Sequence, residues 1–403
     1  MPAQRPESAS NARVVFLVNF LSPNLVNVFR EVDAMVGKLD VLVSIPMEAN
    51  RNWKADHEGV SVTVQKTWTK RKLAKHPGGY TEELFVHLPL DTSWQLKRLK
   101  PDCVVSLEMG LRSVGASVYR HVWDRHCRHV LSIYGSERSE AGRGGLRRWL
   151  RRRLLSAADV VTYNGPSCKR YLLSQGAPQD RMLPWDYAAD PAKPYRGELF
   201  PFSSQPLRLL TISQLIPRKG VLQAADTLAV WARSNPQHHV QWAIAGTGPD
   251  RDALSEKLFP SNVELTLCGH CDIATLQQLY ASYPVNFFPT LGDEWGLVVD
   301  EALASGQLVL GSTHSQAVET LIRPGENGWK YNPDDPPSLL AALDQWASIP
   351  PNDADRMREQ GRLSVAHRTH VESAQQFVTA VDFALRVPTR SKKQKRTTSV
   401  RPT

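Results

Sequence analysis

The chain has 403 residues, 41% hydrophobic and 22% charged, which is enough for two or three domains with cores of their own. No apolar run approaches the ~20 residues of a transmembrane helix, MPAQRPESASNA lacks the apolar core of a secretory signal, and five scattered cysteines make no disulfide framework. The charge of +9 is uneven: residues 1–200 carry 30 Lys+Arg against 20 Asp+Glu, residues 201–385 carry 12 against 20, and the last 18 carry 7 and no acid.

A cytoplasmic chain is therefore expected, whose basic first half meets an anionic partner such as a lipid surface or a charged glycan. After a polar start, residues 1–12, read as disordered, RVVFLVNF (13–20) reads as a buried parallel strand. A turn at Ser22-Pro23-Asn24 leads to a helix bearing Leu25, Val28, Phe29 and Val32, and KLDVLVSI is the next strand. Residues 51–80, with Lys70, Arg71, Lys72 and Lys75 among Trp53 and Trp68, read as a loop insertion. A helix near 91–99, the strand 101–108, a helix after Gly110 and the strand 129–135 restore the alternation of a doubly wound α/β domain.

Residues 138–158 have the most unusual composition. On a helical wheel Leu146, Trp149, Leu150 and Leu154 share one face, opposite Arg147, Arg148, Arg151 and Arg152. Two readings stand side by side: a peripheral contact with an anionic membrane, or a packed surface helix with solvated arginines. No helix-turn-helix or zinc pattern supports nucleic-acid binding. A strand (158–164) and a helix through Tyr171 follow, and four prolines between Pro191 and Pro206 place a domain boundary near residue 200.

The rhythm then restarts. LRLLTIS is a strand whose turn, QLIPRKG, leads to a helix over 221–234; HVQWAIAGTGPD runs from strand to glycine turn. Helix 250–258, strand VELTLCG and helix 273–282 precede a strand ending at Phe288 and the stretch PTLGDEWGLVVDEALASGQLVLGS (289–312). Asn327-Gly328 marks a turn, helices over 337–349 and 370–385 follow, and TRSKKQKRTTSVRPT reads as a disordered basic tail.

Candidate chemistry concentrates in this second half. The helix start near Gly296 offers N–H groups and a dipole end to phosphate oxygens. Asp293 precedes it, and Glu301 lies roughly 7 Å along it at ~1.5 Å per residue; one carboxylate reaches a sugar and the other a ribose, or both merely complement the dipole. Arg218-Lys219-Gly220 opens the helix after the first strand of its domain, where a lysine projects at phosphates. Gly246-Thr247-Gly248 lacks the third glycine and later acid of a dinucleotide site. Cys268-Gly269-His270-Cys271 has the spacing of a redox pair, yet also suits a turn lining a pocket; with no second pair it is a poor zinc site.

In order and spacing, TISQLIPRKG, AIAGTGPDRDAL, LTLCGHCDIATLQQLY, GDEWGLVVDEALASGQLVLGS and RPGENGWKYNPDD resemble the donor domain of retaining GT-B glycosyltransferases of family 4 over about residues 205–365. The first half resembles the acceptor domain loosely, through AADVVTYNGPSCKRYLLSQGA. The resemblance implies two Rossmann-like domains facing across a cleft: 13–200 on the acceptor side and 201–368 holding a nucleotide-sugar. It also implies a crossover helix, 369–386, packing on the first domain before the tail 387–403. By position it implies Lys219, with Arg218, on the diphosphate, Asp293 on the donor sugar and Glu301 on the ribose. It places Gly296, Leu297 and Val298 at the phosphates, Gly269 and His270 at the base, and Gly246 and Glu294 in the same site.

Two departures stand out: the first acid, usually Glu, is Asp293, and the arginine usually five residues before the lysine is Gln214. The implied activity is transfer from a nucleoside-diphosphate sugar to a hydroxyl of a glycan, lipid-linked glycan or polysaccharide precursor. No metal or further cofactor is expected. A GT-B epimerase and a silent nucleotide-sugar-binding protein remain alternatives.

Overall fold

A computed structural model describes residues 6–48, 57–76, 79–142, 144–187, 189–203 and 205–388. The first domain opens with β1 (Arg13–Val18), α1 (Pro23–Met35), β2 (Lys38–Val43), β3 (Val62–Val64), β4 (Thr67–Lys75) and β5 (Thr81–Pro89). It continues with α2 (Thr92–Leu99), β6 (Cys103–Leu107), α3 (Leu111–Val122), β7 (Arg128–Ile133), α4 (Gly145–Ala157), β8 (Val160–Tyr163), α5 (Pro166–Ser174) and β9 (Met182–Pro184). Strands β3-β2-β1-β6-β7-β8-β9 form one parallel sheet in that order. The apolar run of β1 is buried on both faces: Val14, Phe16 and Val18 meet α1 while Val15 and Leu17 meet the layer under α2 and α3. Ser22 starts α1 by accepting a hydrogen bond from the Leu25 N–H at 3.3 Å, with Pro23 in the first helical turn.

The second domain runs β10 (Leu207–Ile212), α6 (Val221–Ser234), β11 (Val240–Ala245), α7 (Arg251–Ser255), β12 (Val263–Gly269), α8 (Ile273–Ser282) and β13 (Val285–Phe288). It ends with α9 (Leu297–Ala304), β14 (Leu308–Ser312), α10 (Gln316–Leu321), β15 (Gly328–Tyr331), α11 (Pro336–Ala347) and α12 (Pro351–Ser364). Its parallel sheet has the order β12-β11-β10-β13-β14-β15. The order turns back between β10 and β13, the crevice at which open α/β sheets bind ligands.

The last helix, α13 (His370–Arg386), returns to the first domain and packs on α1. Its Thr369 cap accepts from the Glu372 N–H at 3.1 Å, and Phe377 closes a cluster with Phe16, Phe29 and Trp185.

Several expectations change. The supposed loop at 51–80 contains β3 and one arm of a hairpin, β4 paired antiparallel with β5, outside the main sheet. Its alternation is masked because β4 is exposed along nearly its whole length, so neither face needs an apolar stripe; residues 51–56 lie outside the described ones. Residues 9–11, expected to be disordered, form a short 3-10 helix whose Ala9 N–H donates to Asp382 of α13 at 2.7 Å. Helices α10 and α12 and strand β15 were not foreseen. The buried face of α12 is only Ala354, Met357, Arg358 and Gly361, in an otherwise polar sequence. The basic tail from residue 389 lies outside the described residues.

Candidate functional site at the interdomain cleft

The site is assembled where β10, β11 and β13 end. The turn holding Arg218 and Lys219 is stapled to the loop after β13. The Leu291 N–H donates to the Arg218 carbonyl at 2.9 Å, and the Arg218 guanidinium donates to the Gly292 carbonyl at 2.7 Å. Gly220 makes this approach feasible: it has φ +65°, and a Cβ there would lie 2.3 Å from the Pro289 carbonyl oxygen. Gly246 does the same for the neighbouring turn, where a Cβ would meet the Ser213 carbonyl.

This staple sets Lys219 against Asp293. Their side chains are ion-paired and mostly buried, with Arg218 4.0 Å from the same carboxylate oxygen and the Lys219 ammonium 5.6 Å from the centre of the Phe288 ring. Burial alone would raise the Asp293 carboxyl, but Lys219 and Arg218 outweigh it and hold the group below the ordinary carboxylate range. Three residues on, Gly296 caps α9 with φ +108°; a Cβ there would press on Phe288 and Ser315. The first N–H groups of α9, from Leu297 and Val298, thus begin beside the Lys219–Asp293 pair.

Glu301, one turn along, is buried. It accepts hydrogen bonds from the Tyr280 hydroxyl at 2.9 Å and the Lys193 ammonium at 3.1 Å. Burial raises its carboxyl above the ordinary range, with Lys193 and Tyr280 opposing. The preceding acid, Asp300, turns inward to Arg368 at 2.6 Å and the Trp295 indole at 2.6 Å, locking α9 to the segment before α13.

The first domain supplies the opposite wall. Glu108, at the end of β6, adopts φ 68° and its carboxylate accepts from the Tyr134 N–H at 2.9 Å. Glu294 faces it from the second domain; desolvation between the two cleft walls and then the charge of Glu108 push the Glu294 carboxyl up to about 7. Gln316 of α10, 2% exposed, joins the walls. Its amide nitrogen donates to the carbonyls of Tyr134 at 2.9 Å and Glu294 at 2.7 Å, and its oxygen accepts from the Cys168 N–H at 2.9 Å. Arg138 reaches Asp334 at 3.0 Å, and Arg170 reaches Glu319 at 2.9 Å. The β4–β5 hairpin leans on the Pro217–Lys219 turn, and the buried Tyr80 at its tip lies against Gly292. Behind the Asp293 loop, a polar cavity of about 390 Å³ is lined by Arg138, Arg170, His314, Lys330, Glu137 and Glu319. Another, of about 430 Å³ around His239 and Gln241, opens at the opposite strand ends, away from the crevice.

Among the residues singled out in sequence, the structure brings Lys219, Arg218, Asp293, Glu294, Gly296, Leu297 and Val298 around one point, with Glu301 a turn deeper. Gly269 and the exposed His270 stand beside Gly246, whose N–H donates to the Gly269 carbonyl at 2.7 Å. Cys268 and Cys271 are partly buried, and desolvation raises both thiols, the reverse of an activated redox pair. On α4, Leu150 and Leu154 face inward, but Leu146 and Trp149 are exposed. Arg151, expected on the open basic face, is instead buried against Glu140 and donates to the Tyr171 hydroxyl at 2.6 Å, because its position faces α5. Sequence reasoning missed Glu108, Lys193, Tyr280 and Gln316. Only Glu108 carried a signal, as an acid at the end of a buried strand.

Residues 206–348 match the family described as glycosyl transferases group 1. Over 140 residues, 34% of this chain, the sequence is 31% identical to an uncharacterized glycosyltransferase of Methanocaldococcus jannaschii; the match spans 35% of that relative's length. Sucrose-phosphate synthase from Thermosynechococcus elongatus superposes with a TM-score of 0.65 at 16% identity, covering 92% of this chain and 98% of that one. Anabaena HepE in complex with UDP superposes with a TM-score of 0.67 at 14% identity, covering 92% and 99%. The chain thus has the two-domain GT-B fold, with a glycosyl transferases group 1 region in its second domain.

Proposed function

We propose that this protein is a retaining glycosyltransferase, of the family 4 type, that moves a sugar from a nucleoside-diphosphate donor to an acceptor hydroxyl on a glycan, lipid-linked glycan or polysaccharide precursor. The observation that carries the reading is the Lys219–Asp293 pair held at the start of α9, in the region that matches the family. Lys219 is preorganised beside helix N–H groups, and an arriving diphosphate would draw it from Asp293 and free that carboxylate for donor hydroxyls. HepE, whose fold this chain shares, is solved with UDP.

In the proposed reaction the acceptor oxygen bonds to the anomeric carbon as the bond from that carbon to the diphosphate breaks. Lys219, Arg218 and the α9 N-terminus stabilise the departing charge, and the acceptor proton leaves to the diphosphate or to water. Glu301 would take the ribose hydroxyls, sharing its carboxylate with Tyr280 and displacing Lys193. The transfer is proposed to need no metal, so a chelator would leave the rate unchanged.

The test is incubation with UDP-, GDP- and ADP-sugars with and without a pool of acceptors, followed by mass spectrometry, with NMR of the new anomeric centre. Transfer with retention supports the proposal. Altered sugar nucleotide without acceptor would identify an epimerase, and binding without turnover a silent nucleotide-sugar protein.

A further inference from the structure

On one flank of the first domain the exposed large apolar side chains stand on elements that adjoin one another. Trp68 and Val86 are on one face of the hairpin, Leu90 and Trp94 at α2, Leu111, Val118 and Val122 on α3 with Trp123 at its end, and Leu146 and Trp149 on α4. Helix α3 packs against α2, β5 and α4, which makes these surfaces neighbours. Leu111, Val118 and Val122 are spaced as one helical stripe, yet they face solvent while Ala116 and Tyr119 serve the core. On the opposite face of the sheet, α1 and α13 bury most of their apolar side chains in one core, leaving Val371 and Phe383 of α13 exposed.

Charge is interleaved with these residues. Three exposed tryptophans each carry a cation over the ring: Arg98 at 4.8 Å from Trp94, Lys97 at 5.6 Å from Trp123, and Arg153 at 5.4 Å from Trp149. The hairpin adds Lys70 and Lys72 on the face that holds Trp68 and Val86, since their registers pair Trp68 with Leu88 and Lys70 with Val86. Arg147, Arg148 and Arg152 remain exposed on α4. A packed protein partner would favour a dry apolar centre. Tryptophans spaced apart, each with its own cation, suit a headgroup layer, where the ring sits at the boundary and the cation meets lipid phosphate.

We infer that the flank formed by the β4–β5 hairpin, α2, α3 and the start of α4 docks on an anionic membrane surface. The hairpin that belongs to this flank also leans on the Lys219 turn, so docking would hold the cleft beside the bilayer and present it to an acceptor carried on lipid. The docking does not rest on the donor reading; only this last consequence does.

The experiment is co-sedimentation of the full chain with vesicles of phosphatidylcholine alone and of equal parts phosphatidylcholine and phosphatidylglycerol, at low and high salt. Retention by the anionic vesicles at low salt is expected, falling with salt. The variant Trp94→Ala/Trp123→Ala/Trp149→Ala should lose at least tenfold in partition. Because each basic side chain at such a surface is worth about fivefold, Lys70→Gln/Lys72→Gln should lose on the order of twentyfold.

A melting curve matching the wild type shows that each variant is folded, and the charge variant carries the test should the tryptophan variant fail to fold. Absence of retention by anionic vesicles, equal retention by phosphatidylcholine alone, or wild-type retention of the folded variants would overturn the inference. So would capture by heparin with no vesicle binding, which would give the face to an acidic glycan. None of these outcomes changes sugar-nucleotide binding, which is measured separately.

Discussion

Asp293 and Glu294 are adjacent in the chain and opposite in electrostatics. Lys219 and Arg218 hold the first in its charged form, while burial in the cleft and Glu108 push the second up to about 7. The sign of the stability effect follows from the linkage of proton binding to folding. A carboxyl whose folded value lies above its ordinary 4.5 contributes stability that is complete below the ordinary value and is lost as pH rises through about 7.

The melting temperature of the wild type should therefore fall between mildly acidic and mildly alkaline pH, and Glu294→Gln should flatten that fall; an unchanged slope would mean that the Glu294 carboxyl is not raised in the folded protein. At this scale the sequence was informative where residues lie close along the chain. Asp293, Gly296 and Glu301 share one loop and helix, so their spacing carried the reading. Glu108 and Lys193 meet the same site from far away in sequence, and only the packing of the domains puts them there.

Among the elements, the turn before α6 owes its shape to Gly220. An alanine there would need φ +65° and would press its Cβ onto the Pro289 carbonyl. Gly220→Ala should destabilise the second domain by about 1–3 kcal/mol in urea titrations and weaken donor binding by moving Lys219. Wild-type values for both would sink this account of the turn.

Buried strands and amphipathic helices were legible because their apolar spacing is imposed by packing on two sides, as in β1 and α13. The β4–β5 hairpin and α12 were not. The hairpin stands outside the core, and α12 touches it along a stripe of small or flexible residues, so neither needs the periodicity that reveals an element.

For the whole molecule, the basic and acidic halves of the sequence became two domains across a cleft, and the return of α13 followed from the family resemblance. What joins the domains was not legible, because Gln316 reads as an ordinary polar residue at the start of a short helix. Its amide ties Tyr134 and Cys168 of one domain to the Glu294 loop of the other. Gln316→Ala should leave each domain folded but unlatch them, at a cost of about 1–3 kcal/mol for the partners left unpaired. Small-angle scattering would then show a larger radius of gyration, and an unchanged radius would assign the closure to Arg138 and Arg170 instead.

The central claim is that the loop and helix from Asp293 to Glu301, with Lys219, bind a nucleoside-diphosphate sugar, and titration calorimetry of wild type and Glu301→Ala against UDP-, GDP- and ADP-sugars tests it most directly. The account predicts saturable binding of at least one of them and a loss of tenfold or more in the variant, which corresponds to about 1.4 kcal/mol. An affinity that Glu301→Ala leaves unchanged would contradict it.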